Sequence, residues 1–178
     1  ELEINRIYDE LKIFKDKNIL FFDKKTILEK INSNKIIEKI EIFKKYPSTL
    51  NIGIEKTKLL AITNKNNSNY LIGTNGNLIE INENSFEFPY IFGNVDVKEF
   101  LEFKKIIDDS NFKFSEIKEF YFFKSKRWDI VTKDDLILKM PSNITVKKLD
   151  LIFEIILSNK FNHKTLDFRQ DGMIFINE

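Results

Sequence analysis

Few residues of this 178-residue chain are placed to do chemistry. It has no cysteine, which excludes disulfides, thiol catalysis and thiolate metal sites. His163 is its single histidine; without a second histidine or a cysteine it cannot make an ordinary zinc site, and an exposed loop position is expected for it. Asp108-Asp109 and Asp134-Asp135 are carboxylate pairs, the residue type of a general acid and base. Adjacent side chains diverge on a helix or a turn, however, so capping and turn roles are expected for both pairs. No glycine-rich phosphate loop and no nucleophile motif occurs. The chain thus offers no catalytic centre and implies no cofactor.

What remains is the hydrogen-bonding chemistry of the backbone. In the last residues, Thr165-Leu-Asp-Phe-Arg169-Gln-Asp-Gly-Met-Ile-Phe-Ile-Asn-Glu178, an apolar/polar segment runs into Asp171-Gly172. Met173, Ile174, Phe175 and Ile176 follow, with side chains that favour a sheet. A last strand with no later element to cover it tends to lie at an edge, where unpaired N–H and C=O groups can accept a strand from another protein. That points to a docking module rather than a catalyst. The competing reading is an ordinary core strand closed by a neighbour. Arg169, two residues after Asp167, is either a partner contact or half of a same-strand ion pair. Trp128 is read as a half-buried packing residue rather than a recognition aromatic. If Phe120, Phe122 and Phe123 straddle both sheet faces, one of them is exposed.

Composition sets the frame for these elements. The length suits one large domain or two small ones with a real core. Lys plus Arg (29) nearly balance Asp plus Glu (28), so no basic field argues for nucleic acid. The 18 phenylalanines are read as mostly core. No apolar run approaches the roughly 20 residues that cross a bilayer, and no signal peptide is present. Glu1 is not a start methionine, so the chain reads as a processed or trimmed piece.

Periodicity predicts a short amphipathic helix over residues 1–14, with Ile4, Ile7, Tyr8 and Leu11 inward. Asn18-Ile-Leu-Phe-Phe22 is an apolar anchor. Asp23 and Thr26 offer caps for a second helix, and Thr26-x-x-Glu29 fits a capping box. Alternating runs around Ile40–Ile42 and Leu50–Ile54, joined at Tyr46-Pro47-Ser48-Thr49, predict a strand pair. Asn64–Asn69 reads as a polar loop, and Thr74-Asn75-Gly76-Asn77 as a tight hairpin turn. Phe88–Gly93 reads as an irregular apolar link. Asp96 caps a helix to about Asp109. Strands over Ile117–Phe123, Trp128–Thr132 and Leu136–Met140, a helix with Val146, Leu149, Ile152, Phe153 and Ile156 inward, and the terminal strands complete the chain.

The order of these signals resembles the FtsQ/DivIB family of bacterial cell-division proteins over nearly the whole chain. Ile40–Glu55 looks like the strand–Pro–strand that closes the family's POTRA domain. Tyr70-Leu-Ile-Gly-Thr-Asn-Gly76 is similar to its hairpin, and Pro89-Tyr-Ile-Phe-Gly93 to its proline–glycine link. Arg127-Trp128 is similar to the opening of its tryptophan hairpin, and Leu166-Asp-Phe-Arg169 to its "valine-aspartate-leucine-arginine" strand. The chain departs from the pattern after Glu55, where the usual Pro is absent, and at Asp134-Asp135, where Gly is usual. The resemblance implies that the strand opening the POTRA domain, a transmembrane helix and a cytoplasmic tail would precede Glu1, outside this chain.

The resemblance implies an α+β fold: a POTRA-like domain over residues 1–62, its first strand missing, then an antiparallel β-sheet domain with packed helices over 63–178. It implies a non-enzymatic divisome scaffold at the division septum, on the periplasmic side of the bacterial inner membrane. Contact with that membrane is expected only through an N-terminal helix absent from this chain. The implied partners are FtsB- and FtsL-like division proteins, with other divisome proteins at the POTRA half and no nucleic acid. An FtsB-like segment would add to the last strand, which makes Gln170, Asp171, Gly172, Met173, Ile174, Phe175, Ile176 and Asn177 the partner-binding residues. Among them the backbone pairs, Ile174, Phe175 and Ile176 supply apolar contacts, and Gln170 and Asp171 flank. The alternative is a POTRA protein of outer-membrane assembly or secretion; an α+β enzyme is a third class, for which the sequence supplies no pocket residues.

Overall fold

A computed structural model describes every residue except 1, 16–18, 20–22, 32–33, 82–86, 159–160, 162–163, 171 and 178. The chain forms two compact units, residues 1–58 with 73–77, and residues 59–72 with 78–178.

The first unit is built on two helices and a strand pair. Helix α1 (Leu2–Lys12) places Ile7 inward. Helix α2 (Lys24–Ile31) begins after Asp23, whose carboxylate accepts the Lys25 N–H at 2.9 Å. Asp23 is therefore the cap, and Thr26 and Glu29 lie inside the helix rather than forming the expected box. Strands β1 (Ile37–Lys45) and β2 (Thr49–Lys56) pair antiparallel with Ile40 opposite Ile54 and Ile42 opposite Ile52. Their inward side chains meet Ile7, Phe14, Ile27 and Ile31 in one core. Of the expected apolar anchor at 18–22, only Ile19 is described, and it is buried. The turn at 73–77 belongs to this unit: the Asn75 carboxamide donates to the carbonyls of Lys35 (3.0 Å) and Ile37 (2.9 Å).

The second unit opens at Leu59, and its first strand β3 (Leu59–Lys65) runs through the boundary expected after residue 62. The other strands are β4 (Ser68–Gly73), β5 (Leu78–Ile81), β6 (Tyr90–Phe92), β7 (Ile117–Phe122), β8 (Trp128–Thr132), β9 (Ile137–Lys139), β10 (Thr165–Asp167) and β11 (Phe175–Asn177). They form one sheet in the order β11-β10-β9-β8-β7-β6-β3-β4-β5. The α+β class and the order of the two domains are as expected, but the sheet is mixed. β3 pairs parallel with β6, β6 with β7, and β9 with β10, while β7–β8, β8–β9, β4–β5 and β10–β11 are antiparallel.

Two segments read differently in the sequence. The expected polar loop at 64–69 is a two-residue turn, Asn66-Asn67, with φ of 52° and 65°, and its flanks extend β3 and β4. Asparagine tolerates that left-handed backbone, which matches the twist of a hairpin. The expected link at 88–93 contains β6, an interior strand.

Helices α3 (Val97–Asp108) and α4 (Val146–Ser158) cover one face of the sheet. Asp96 caps α3 by accepting the Lys98 N–H at 2.8 Å. Phe100, Phe103, Ile107, Leu149 and Ile152 pack against Phe120, Trp128, Ile130 and Leu138 of the sheet. Trp128 is 5% exposed, not half-buried, and stacks on Phe103 with centroids 4.8 Å apart. Burying side chains of this size contributes about 1.5–3 kcal/mol each.

Candidate docking edge

β11 ends the sheet, and two local features place it there. Gly172 takes φ +77°, a left-handed value, and a Cβ built there meets nothing within 4 Å. Glycine is thus needed for its backbone conformation, not for space. The Met173 N–H closes the turn on the Gln170 carbonyl at 3.2 Å. Beyond it, Phe175 lies opposite Asp167, Ile176 opposite Leu166 and Asn177 opposite Thr165.

The direction of each backbone group follows from β10. The Ile137 N–H donates to the Lys164 carbonyl and the Phe168 N–H to the Lys139 carbonyl, both at 2.9 Å. Successive residues of a strand point their N–H and C=O to opposite sides. Leu166 therefore faces β9, and Thr165 and Asp167 face β11. Across the antiparallel pair, Phe175 and Asn177 turn toward β10. Ile176 turns its N–H and C=O to the open edge, where no described strand lies.

The side chains give the same edge an apolar surface. One row crosses the sheet through Ile91, Phe120, Ile130, Leu138, Leu166 and Ile176. The first five are at most 1% exposed, and Ile176 is 50% exposed. The core row runs out into solvent at its last member. Met173 (58%), Ile174 (41%) and Phe175 (46%) are exposed as well. Beside them Leu151 and Ile155 of α4, with Phe168, Met173 and Ile174, line a groove of about 350 Å³.

On the opposite sheet face, Phe175 shares a row with Asp167, Lys139 and Asp129. The Asp167–Arg169 pair is a local ion pair at the end of β10, with Arg169 two residues beyond the strand: Arg169 Nε donates to both carboxylate oxygens at 2.8 and 2.9 Å. These bonds hold the Asp167 carboxyl below its ordinary value. Asp129 makes the same two-residue fork with Arg127, at 3.2 and 3.3 Å, and also accepts the Met140 N–H at 3.2 Å. Here burial dominates and pushes the carboxyl up, with Arg127 opposing.

Of the residues predicted to bind a partner, Phe175, Ile176 and Asn177 form β11, Met173 and Ile174 lead into it, and Gln170 and Gly172 make the preceding turn. Asp171 lies outside the described residues, as does His163. The groove floor on α4 was not singled out in the sequence, although Leu151 lies off the predicted inward stripe. Asp109 caps α3 and Asp135 takes a turn at φ 60°, so the carboxylate pairs are structural. No metal-binding cluster occurs among the described residues, and no described helix is long and apolar enough to cross a membrane.

Comparison with known families places this architecture. Residues 61–169 match the family described as "Cell division protein FtsQ/DivIB, C-terminal", and residues 2–56 match "POTRA domain, FtsQ-type". The chain belongs to the FtsQ/DivIB family. The cell division protein FtsQ of Rickettsia bellii (strain RML369-C) is 25% identical over 175 residues, which cover 91% of this chain. The aligned part spans 62% of that protein's length. Among solved structures, the major extracytoplasmic domain of the trans isomer of DivIB from Geobacillus stearothermophilus is 12% identical, with a TM-score of 0.42, covering 58% of this chain and 94% of that one. The FtsQ/DivIB family is one of cell-division proteins, the first of the three readings weighed from the sequence. Its family match ends at Arg169, just before the turn that leads into β11.

Proposed function

We propose that this protein is a non-enzymatic scaffold of the division machinery that takes on a strand from an FtsB-like partner along β11. The observation that carries the reading is the buried row that ends on half-exposed Ile176, whose backbone also faces the open edge. An incoming strand would pair with the Ile176 N–H and C=O, and its own side chains would continue the row. Phe175 would meet the partner on the other face, and Met173 and Ile174 beside the α4 groove. Each added backbone hydrogen bond contributes about 1 kcal/mol net, so affinity depends on apolar cover as well. The scaffold sits at the septum on the periplasmic side of the inner membrane, with an FtsL-like protein in the same assembly. Other divisome proteins meet the POTRA half.

The test is a titration with the periplasmic segment of the same organism's FtsB-like protein. Proline at an outward-facing edge position removes the N–H that a new strand needs and leaves the existing ladder whole. Ile176→Pro should fold and fail to bind. Equal binding by wild type and the folded variant would exclude strand addition at β11.

A further inference from the structure

We propose that the groove between the β3–β4 turn and the end of β6 binds a neutral oligosaccharide. Tyr90 and Phe92 stand two apart on β6, on one face of the sheet, with ring centroids 4.6 Å apart. Tyr121 of β7 stacks on Phe92 at 4.8 Å, with 16° between the planes. Phe92 is 40% exposed, so this three-ring platform reaches solvent. A groove of about 560 Å³ opens beside it, walled by Asn64, Lys65, Asn66 and Asn94. That is within the ~300–1,000 Å³ usual for small-ligand sites.

The chemistry of the walls selects the ligand class. An aromatic face attracts the polarised C–H groups on one side of a pyranose ring, by the same quadrupole that orders aromatic pairs. Each carboxamide both donates and accepts, which suits hydroxyl groups that do the same. One lysine and no carboxylate line the groove, so neither a polyanion nor a cation finds its counter-charges there. Amide walls also match a hydroxylated ligand better than an apolar peptide.

The site is held in shape by its own bonds. Asn64 Nδ2 donates to Asn69 Oδ1 at 2.9 Å, and the Tyr90 hydroxyl donates to the same oxygen at 3.3 Å. Asn66 is presented by the left-handed turn. Gly93 takes φ +104°, and a Cβ there would collide with the Phe122 carbonyl oxygen. Only glycine lets the end of β6 approach β7 so closely, and that approach sets Phe92 and Asn94 on either side of it. The Pro89-x-x-x-Gly93 motif thus builds this corner, which β11 does not use. The proposal is independent of the candidate docking edge, since four strands separate β6 from β11 in the sheet.

The experiment is an NMR titration of the ¹⁵N-labelled 178-residue chain with chitotetraose, and separately with cellotetraose, which lacks the acetamido groups. Saturable shifts at the amides of Asn64, Asn66, Tyr90, Phe92 and Asn94 with either sugar are expected. Asn94→Ala changes an exposed residue and should weaken binding about ten-fold, as loss of one paired polar group does, with the melting temperature unchanged. Phe92→Ala should weaken it further. A preference for chitotetraose would assign the amides to acetamido contacts; equal binding would assign them to hydroxyls. The proposal is overturned if neither sugar gives saturable shifts at millimolar concentration, if the shifts map elsewhere, or if Asn94→Ala and Phe92→Ala both bind as wild type does.

Discussion

Leu138 and Ile176 lie in one row of one sheet, two strands apart, yet Leu138 is fully buried and Ile176 half exposed. The interior strands β7, β8 and β9 have neighbours on both sides and helices over one face. There the row is covered by Phe100, Phe103 and Leu149, and each of these strands is hydrogen-bonded to a neighbour on either side. At β11 the same pattern of side chains continues, but the neighbours stop. The interior residues hold the fold together. Met173 to Ile176 repeat the side-chain types of that core but stand exposed, which is the feature on which the proposed docking rests.

Mutations that treat the two ends alike should give very different results. Phe120→Ala removes a fully buried ring that touches Phe100, Phe103 and Trp128, and should cost about 3–5 kcal/mol in urea denaturation. Ile176→Ala should cost well under about 1 kcal/mol in the isolated protein, because half the side chain is already in water. A large loss at Ile176 would mean that the edge is part of the core. Backbone changes sharpen the contrast within β11. Phe175→Pro deletes a donor turned to β10 and should cost about 1–3 kcal/mol. Ile176→Pro deletes one turned to solvent and should leave the denaturation midpoint nearly unchanged.

The two arginine forks offer a subtler comparison. Arg169 holds Asp167 below the ordinary 3.8, so its contribution is complete above that value and is lost as pH falls through the depressed one. Burial lifts Asp129 above the ordinary 3.8, so its charged form costs stability at neutral pH, and acidification through the raised value removes that cost. Asp167→Asn should therefore lower stability at neutral pH and flatten its acid decline. Asp129→Asn should cost little at neutral pH, since asparagine still accepts the Met140 N–H, and should steepen the decline. Urea midpoints from pH 7 down to pH 3 would decide; parallel shifts in both variants would refute the opposed environments. At a helix end, Asp96→Ala should cost about 1 kcal/mol through loss of the α3 cap.

How far the sequence reaches depends on the range of the interactions concerned. Helix α3 with its Asp96 cap, the hairpin turn at Asn75-Gly76 and the turn at Asp134-Asp135 are decided by residues close in the chain, and all were legible. β3 was not, because Leu59–Ile62 is a continuous apolar run, with Leu60, Ala61 and Ile62 all buried, without the alternation of a half-exposed strand. β6 was not, because its three residues gain strand character only from Ile62 and Phe120, far away in sequence. The parallel joints follow from those same long-range pairings. Asp23 took the cap from Thr26 because a helix starts where the first free N–H groups find an acceptor, and Asp23 came first. At the candidate docking edge the apolar residues were legible as types. Which of them turns its backbone outward depends on the register of β10 against β9, which no local pattern encodes.

The most direct test of the central claim is calorimetric titration of the FtsB-like periplasmic segment into wild type, Ile176→Pro and Phe120→Leu, each shown by circular dichroism to be folded. Edge docking predicts saturable binding to wild type and to the core variant, with a loss of at least about ten-fold for Ile176→Pro. Unchanged affinity in Ile176→Pro, or no binding by wild type even with the FtsL-like protein present, would contradict it and leave β11 a structural strand only.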